Sequence, residues 1–239
     1  MAGTLRVGTS GYQYADWRSR FYPDDLPKKR WFAYYADHFD TVEINNTFYN
    51  LPEAGTFDDW REEAPRGFRY ALKYSRYGSH MKRLKDPDQH VDTFVERAER
   101  LKSALGPVLV QLPPNFKADP GHLDEFLAAA PRRLRWVVEF RDPSWLDDAV
   151  YKVLENRGAA LCIHDMLDDH PRRVTAKLVY LRFHGKNYGG SYSPQRLTAE
   201  AKRVRGWLGD GLDVWAYFNN DKGGHAVHNA QELRRYATD

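Results

Sequence analysis

The chain has 239 residues, 36 Lys and Arg against 33 Asp and Glu, a formal net charge of +3 and 42% apolar side chains. That length suits one α/β domain, 1–239, with a sizeable core. The slight charge excess alone does not demand a nucleic-acid partner, and no apolar run approaches the ~20 residues needed to span a membrane. The single cysteine, Cys162, excludes an internal disulfide. No basic-then-apolar leader opens the chain, so the expected setting is a reducing cytoplasm without membrane attachment.

In chain order, short apolar runs alternate with helical patterns, the signature of βα units. The composition of each run predicts strands over 5–10, 41–45, 69–74, 108–112, 136–141, 159–164, 178–184 and 213–219. Helices are predicted between them over 29–38, 56–63, 90–105, 121–130, 147–157, 198–209 and 226–236, with a short one around 168–173. Eight such units predict a single (β/α)8 TIM-like barrel.

Several strands are apolar on one parity only. Val179, Leu181 and Phe183 alternate with Tyr180, Arg182 and His184, and Val42 and Ile44 alternate with Thr41, Glu43 and Asn45. Neighbouring strand residues point to opposite faces. The apolar parity should therefore meet the helices and the polar parity the lumen, placing Arg6, Lys73, Arg141 and Arg182 inward with Glu43 and Glu139. Polar lumen residues concentrate near the strand C-termini, where barrels of this kind carry their chemistry.

A lumen with surplus cations favours an anionic ligand, and Arg suits phosphate or carboxylate through paired hydrogen bonds. Glu43, Glu139 and His184 are the candidate proton carriers, and Lys73 a candidate nucleophile if neighbouring charges depress its pKa. Ser10, Tyr12, Asn45, Gln111, Arg141, Trp145, Arg182, Asn219 and Asn220 are the candidate ligand-holding residues. Glu43, Glu139, His164, Asp165 and His184 are chemically acceptable metal ligands, but the interleaved cations oppose a metal. No metal site is assigned; the cofactor stays open, with a divalent metal as one alternative.

Aromatic residues crowd the loops: Tyr12, Tyr14, Trp17, Phe21 and Tyr22 after the first strand, Phe48 and Tyr49 after the second, Tyr188 and Tyr192 after the seventh. Rings interleaved with positive charge, as in the segment 74–83, can stack bases while neutralising phosphates.

Several motifs resemble one family along nearly the whole chain. They include Gly8-Thr9-Ser10-Gly11-Tyr12 with Trp17 and Phe21-Tyr22-Pro23, and Glu43-Ile44-Asn45-Asn46-Thr47-Phe48-Tyr49. Lys73, His80, Gln111-Leu112-Pro113-Pro114, Glu139-Phe140-Arg141 with Ser144-Trp145, Arg182-Phe183-His184-Gly185 and Tyr217-Phe218-Asn219-Asn220-Asp221 complete the set. The pattern is similar to that of the DUF72 (YecE-like) family. The resemblance implies a TIM-like barrel, similar in shape to endonuclease IV and xylose isomerase barrels, but no settled reaction.

Three functional expectations follow. The first is a hydrolase acting on a phosphate-containing substrate, nucleic acid included. The second is a non-catalytic module binding single-stranded nucleic acid through its rim. The third is a metal-dependent isomerase or lyase of a sugar-like molecule.

Overall fold

The computed structural model describes residues 2–238. Eight parallel strands occur: β1 (Leu5–Thr9), β2 (Thr41–Ile44), β3 (Arg69–Lys73), β4 (Leu105–Gln111), β5 (Trp136–Glu139), β6 (Ala160–His164), β7 (Leu178–Phe183) and β8 (Asp213–Phe218). They follow the order β1-β8-β7-β6-β5-β4-β3-β2. A parallel Ser10–Glu43 bridge joins the two ends, making a nearly closed barrel.

Closure between β1 and β2 relies on unusual parts. A Cβ on Gly8 would fall 2.3 Å from the Thr41 carbonyl oxygen, so only glycine admits this close approach. The Tyr35 hydroxyl then completes the junction: it accepts from the Thr9 N–H at 2.9 Å and donates to the Thr41 carbonyl at 3.1 Å.

The helices α1 (Trp31–His38), α2 (Asn46–Tyr49), α3 (Ala54–Glu63), α4 (Val91–Glu99), α5 (Pro120–Ala129), α6 (Asp148–Arg157), α7 (Pro194–Gly209) and α8 (His225–Thr238) lie between or after the strands. Side-chain caps mark several starts. Asp119, Asp147 and Ser193 each accept a backbone N–H in the first turn, and Pro occupies an early position in α5 and α7.

Two expected elements differ. The helix around 168–173 is not formed; turns and irregular chain join β6 to β7 there. Its Asp168-Asp169 pair favours turns over a helix interior, and Pro171 has no N–H to give. The helix expected over 90–105 ends at Glu99, because a 3-10 turn at Lys102–Ala104 intervenes and β4 already begins at Leu105.

The alternation of parity is as the sequence indicates. Val7, Val42, Leu72, Val110, Val138 and Leu181 belong to the large core between strands and helices. The lumen is layered. Ala71, Leu109, Val137, Cys162, Tyr180 and Tyr217 fill an apolar middle in which small residues face large ones. Above it, at the strand C-termini, lies a charged layer. Arg6 has the inward parity expected of it, over the Trp215 ring, but does not belong to this layer. It faces the opposite mouth, where it pairs with Asp40 at 2.8 Å. Its place near the start of β1 sets it two layers below Ser10, with Gly8 between them.

Candidate functional site

Arg182, on β7, is the hub of the charged layer. One terminal nitrogen donates to Glu139 at 2.6 Å, and the other donates to Glu43 at 2.7 Å and to the Ser10 hydroxyl at 3.3 Å. Its side chain is 1% exposed and those of both glutamates are fully buried. Glu43 also accepts from the Ser10 hydroxyl and from the Tyr180 hydroxyl, the latter at 2.7 Å. Glu139 also accepts from the Nε of Arg141, and the Cys162 thiol lies 3.7 Å away.

These contacts set the charge states. Burial works to raise the Glu43 carboxyl, but Arg182 and the hydroxyls of Ser10 and Tyr180 outweigh it and hold it below the ordinary value. Burial likewise opposes Arg141 and Arg182 at Glu139, and the arginines win, holding it well below. Both carboxylates are ionised and occupied by donors. Three donors crowd each carboxylate, leaving about one of its four acceptor positions open.

His184 is similarly engaged. Its Nε2 faces Arg182 at 3.1 Å and Arg141 at 3.1 Å. A guanidinium can only donate, so Nε2 is an acceptor and the ring proton resides on Nδ1. That nitrogen stands 3.5 Å from Asp165, an electrostatic contact too long for a strong hydrogen bond. Burial, with the arginine charges, lowers the His184 pKa against the pull of Asp165. His164 is a structural stitch: Nε2 donates to the Phe140 carbonyl at 2.7 Å and Nδ1 accepts from the Met166 N–H at 3.2 Å. It ties β5 to β6 where their backbone pairing stops.

Lys73 differs from all of these. It is 8% exposed, its ammonium lies 4.2 Å from the centre of the Phe48 ring, and among the described residues it has no hydrogen-bond or ion-pair partner. Burial and then the Arg182 charge push its pKa down to about 8, against the more distant Glu139 and Glu43. A buried, unmatched cation at the mouth is the group that most needs an anion.

The other expected ligand-holding residues fall into two groups. Ser10, Asn45, Gln111, Arg141 and Arg182 are brought together: Asn45 donates to the Ser10 hydroxyl at 2.9 Å, and Arg141 reaches Gln111 at 3.4 Å. Asn219 follows β8 at the same mouth, half-buried, with no side-chain bond among the described residues. Trp145, Asn220 and Tyr12 do not join them. Trp145 is fully buried, stacked on Phe140 and donating to the Phe116 carbonyl. Asn220 is buried and donates to the Gly190 carbonyl and Asn229 side chain, tying loops together. Tyr12 packs on Phe32 and Tyr35 and lines a neighbouring cleft with Asn45, Asn46 and Trp60, so Asn45 is its one link to the cluster among the described residues.

Asp221 was missed. Its carboxyl follows β8 beside Tyr14, and burial raises its pKa to about 7 against the pull of Tyr14 and Arg182. One of its oxygens is buried without a partner among the described residues. The Asn219-Asn220-Asp221 run drew attention in the sequence to its amides only. The signal available was a carboxylate three residues past a strand end. Asp165 was passed over as an orienting group: Oδ1 accepts the His184 N–H at 2.9 Å, and Oδ2 accepts from Arg196 at 3.0 Å. His80, on a π-helical turn Tyr77–Met81, packs on Phe48; burial and the nearby Lys73 keep it neutral down to about 4.

The loop aromatics divide as well. Trp17, Tyr22, Phe48, Trp145 and Tyr192 are buried. Tyr49, Tyr77, Met81, Met166 and Tyr188 are the exposed large hydrophobics among the described residues, and all five stand on the segments that follow β2, β3, β6 or β7. The exposed apolar surface thus gathers around one mouth. No three of the described His, Cys, Asp and Glu side chains converge as a metal-ligating group.

A barrel with a buried Arg-Glu lattice beneath a ring-lined mouth defines the class. A family model described as "Protein of unknown function DUF72" matches residues 6–239, and the chain belongs to that family. It is 33% identical to UPF0759 protein YecE of Escherichia coli K12 over 151 residues, which cover 61% of this chain and 56% of that protein. The chain therefore spans just over half the length of that relative. It is 24% identical to UPF0759 protein YunF of Bacillus subtilis over 96% of this chain and 93% of that one. The crystal structure of a DUF72 family protein from Thermotoga maritima superposes with a TM-score of 0.90 at 27% identity, covering 99% and 100% of the two chains. One from Enterococcus faecalis gives 0.83 at 19% identity, covering 99% and 96%, a likeness of fold. No helix among the described residues is long and apolar enough to cross a membrane.

Proposed function

We propose that the C-terminal mouth binds the phosphate of a substrate and hydrolyses its ester, the substrate being a nucleotide or a nucleic-acid end. The observation that carries this reading is Lys73, a buried cation without a described partner. Arg141 stands on the same layer with one terminal nitrogen towards His184 and Gln111 and the other towards the Met166 sulfur. The two cations would hold the phosphate and stabilise charge developing on it.

Proton transfer falls to Asp221 rather than to the occupied glutamates. With a pKa of about 7 its carboxylate can take a proton from an attacking water and return it to the leaving alcohol. Glu43, Glu139 and His184 act as the frame that aims Arg182 and Arg141. Tyr49, Tyr77 and Tyr188 offer faces on which a base could stack.

The test compares thermal protection by inorganic phosphate and by nucleoside monophosphates in the wild type, Lys73→Met and Arg141→Gln, with phosphate release measured alongside. Protection lost in Lys73→Met supports the reading. Equal protection in all three proteins, or none in the wild type at millimolar ligand, refutes it.

A further inference from the structure

The opposite end of the barrel carries its own unmatched charge. Where the strands begin, a cavity of about 370 Å³ is lined by Arg6, Arg69, Lys102, Arg133, Arg135 and Trp215, together with Asp213 and several neutral groups. Five cations there face a single acid in the lining. Three of them have carboxylate partners: Arg6 with Asp40 at 2.8 Å, Arg135 with Asp213 at 3.0 Å, and Arg133 with Glu99. Arg69 has none among the described residues. Its only described side-chain bond runs to the Phe68 carbonyl at 3.0 Å.

Arg69 is also crowded by its own kind. Burial, then the charges of Arg6 and Arg135, push its pKa down, with Asp40 as the only attractive partner. Such crowding is a cost that a bound anion would remove.

A second, independent feature lies in the same lining. Trp215 is 4% exposed, and its indole N–H is buried without an acceptor among the described residues. Buried N–H groups in folded proteins nearly always have a partner, so this one, closed to solvent and unpaired, is sensitive to any change at the cavity floor. The indole is fixed in place from two sides. Arg6 lies over its ring at 5.4 Å, and a Cβ on Gly106 would come within 3.2 Å of the ring and 2.9 Å of the Tyr70 carbonyl oxygen. Glycine at 106 is what lets so large a side chain sit at the floor of the cavity.

Helices in a βα barrel end on this face, so cations here also meet helix C-terminal carbonyls. That accounts for Arg133, just past α5. It does not account for Arg69, which opens a strand, or for the indole.

We propose that the N-terminal mouth of the barrel is a second anion site that takes a phosphate or diphosphate group, held by Arg69 and Lys102, with Trp215 in its lining. Guanidinium and ammonium groups match the charge and geometry of phosphate oxygens. The site is separated from Lys73 by the apolar middle layer of Ala71, Leu109 and Tyr180, so it does not rest on the proposed hydrolysis.

The experiment is a titration of the full chain with inorganic pyrophosphate, followed by the indole N–H resonances of ¹⁵N-tryptophan-labelled protein. Trp215→Phe assigns the resonance. The Trp215 signal should move in the wild type and move equally in Lys73→Met. Arg69→Gln and Lys102→Gln should each weaken the apparent affinity at least tenfold. Lys102 is exposed, so its substitution keeps the test interpretable if the Arg69 variant folds poorly. No movement at tens of millimolar pyrophosphate would overturn the proposal. A movement abolished by Lys73→Met but kept in Lys102→Gln would also overturn it, by placing the anion at the other mouth.

Discussion

Replacing Arg182 with methionine should destabilise the protein by about 3–5 kcal/mol, the usual result of removing one partner from a buried ion pair. The structure supports the upper part of that range. The guanidinium serves Glu43 at 2.7 Å and Glu139 at 2.6 Å, and both carboxylates are fully buried. Glu139 keeps Arg141, but Glu43 is left with only the hydroxyls of Ser10 and Tyr180. For a chain of this size each kcal/mol corresponds to roughly 2–4 °C, so the melting temperature should fall by about 6–20 °C. Chemical and thermal denaturation at pH 5 and pH 8 provide the assay. In the wild type both carboxyls lie below their unfolded values, so their contribution is complete above the unfolded range and is lost only as pH falls through the folded values. In the variant a buried, unpaired Glu43 rises above its unfolded value, and stability then drops as pH increases through the shifted range. The gap between the two proteins should therefore be wider at pH 8 than at pH 5. Adding Glu43→Gln and Glu139→Gln to Arg182→Met should recover part of the loss, since removing a whole buried network is far less costly than breaking it. A single variant as stable as the wild type at pH 8 would refute the account of Arg182 as the hub.

Lys73→Met should raise the melting temperature in anion-free buffer. A pKa lowered to about 8 corresponds to a penalty on the order of 3 kcal/mol near neutral pH, which diminishes as pH rises from about 8 towards the unfolded value near 10.4. Scanning calorimetry at pH 7 and pH 10 checks both the gain and its disappearance. Asp221→Asn should stabilise the protein at pH 8 and have little effect near pH 4, because a carboxyl raised to about 7 makes folding less favourable as pH climbs from its unfolded value through 7. If the mouth is hydrolytic, the same variant should abolish the limb of the pH–rate profile near 7. Tyr188→Ala should weaken binding of a nucleoside monophosphate by about 1–3 kcal/mol while leaving inorganic phosphate affinity unchanged, measured by calorimetric titration; equal losses for both ligands would argue against stacking.

Much of the architecture was legible because two periodicities coincide. Residues such as Val179, Leu181 and Phe183 announce the helix-facing side, and Tyr180, Arg182 and His184 the lumen side, before any coordinate is known. Where the expectation failed, a local signal was outweighed by context. Polar residues at 168–173 matched a helix only weakly, and the chain there turns instead. Trp145 and Asn220 carry groups that suit a ligand, but the fold uses both internally, one as a stacked core ring and the other as a tie between loops. Which polar groups are already satisfied depends on distances between distant parts of the chain, and no spacing in the sequence encodes them. Asp221 shows the same blindness in reverse. Its raised pKa comes chiefly from burial, a property of the folded mouth.

The arrangement of the charged layer also explains why the three cations should not be treated alike. Arg182 and Arg141 share two carboxylates, so those four groups are neutral together. Lys73 adds one charge that nothing nearby cancels by contact. A site built to hold a cation would invert that balance, with carboxylates left over and lone pairs open. Here arginine takes two acceptor positions of Glu139 and one of Glu43, and hydroxyls take two more of Glu43, so a divalent ion would compete with guanidinium groups for both carboxylates. On the arithmetic of its own pairs the charged layer keeps one surplus positive charge, the premise of the proposed anion site, and Lys73 is the residue whose substitution tests it with least disturbance to the frame.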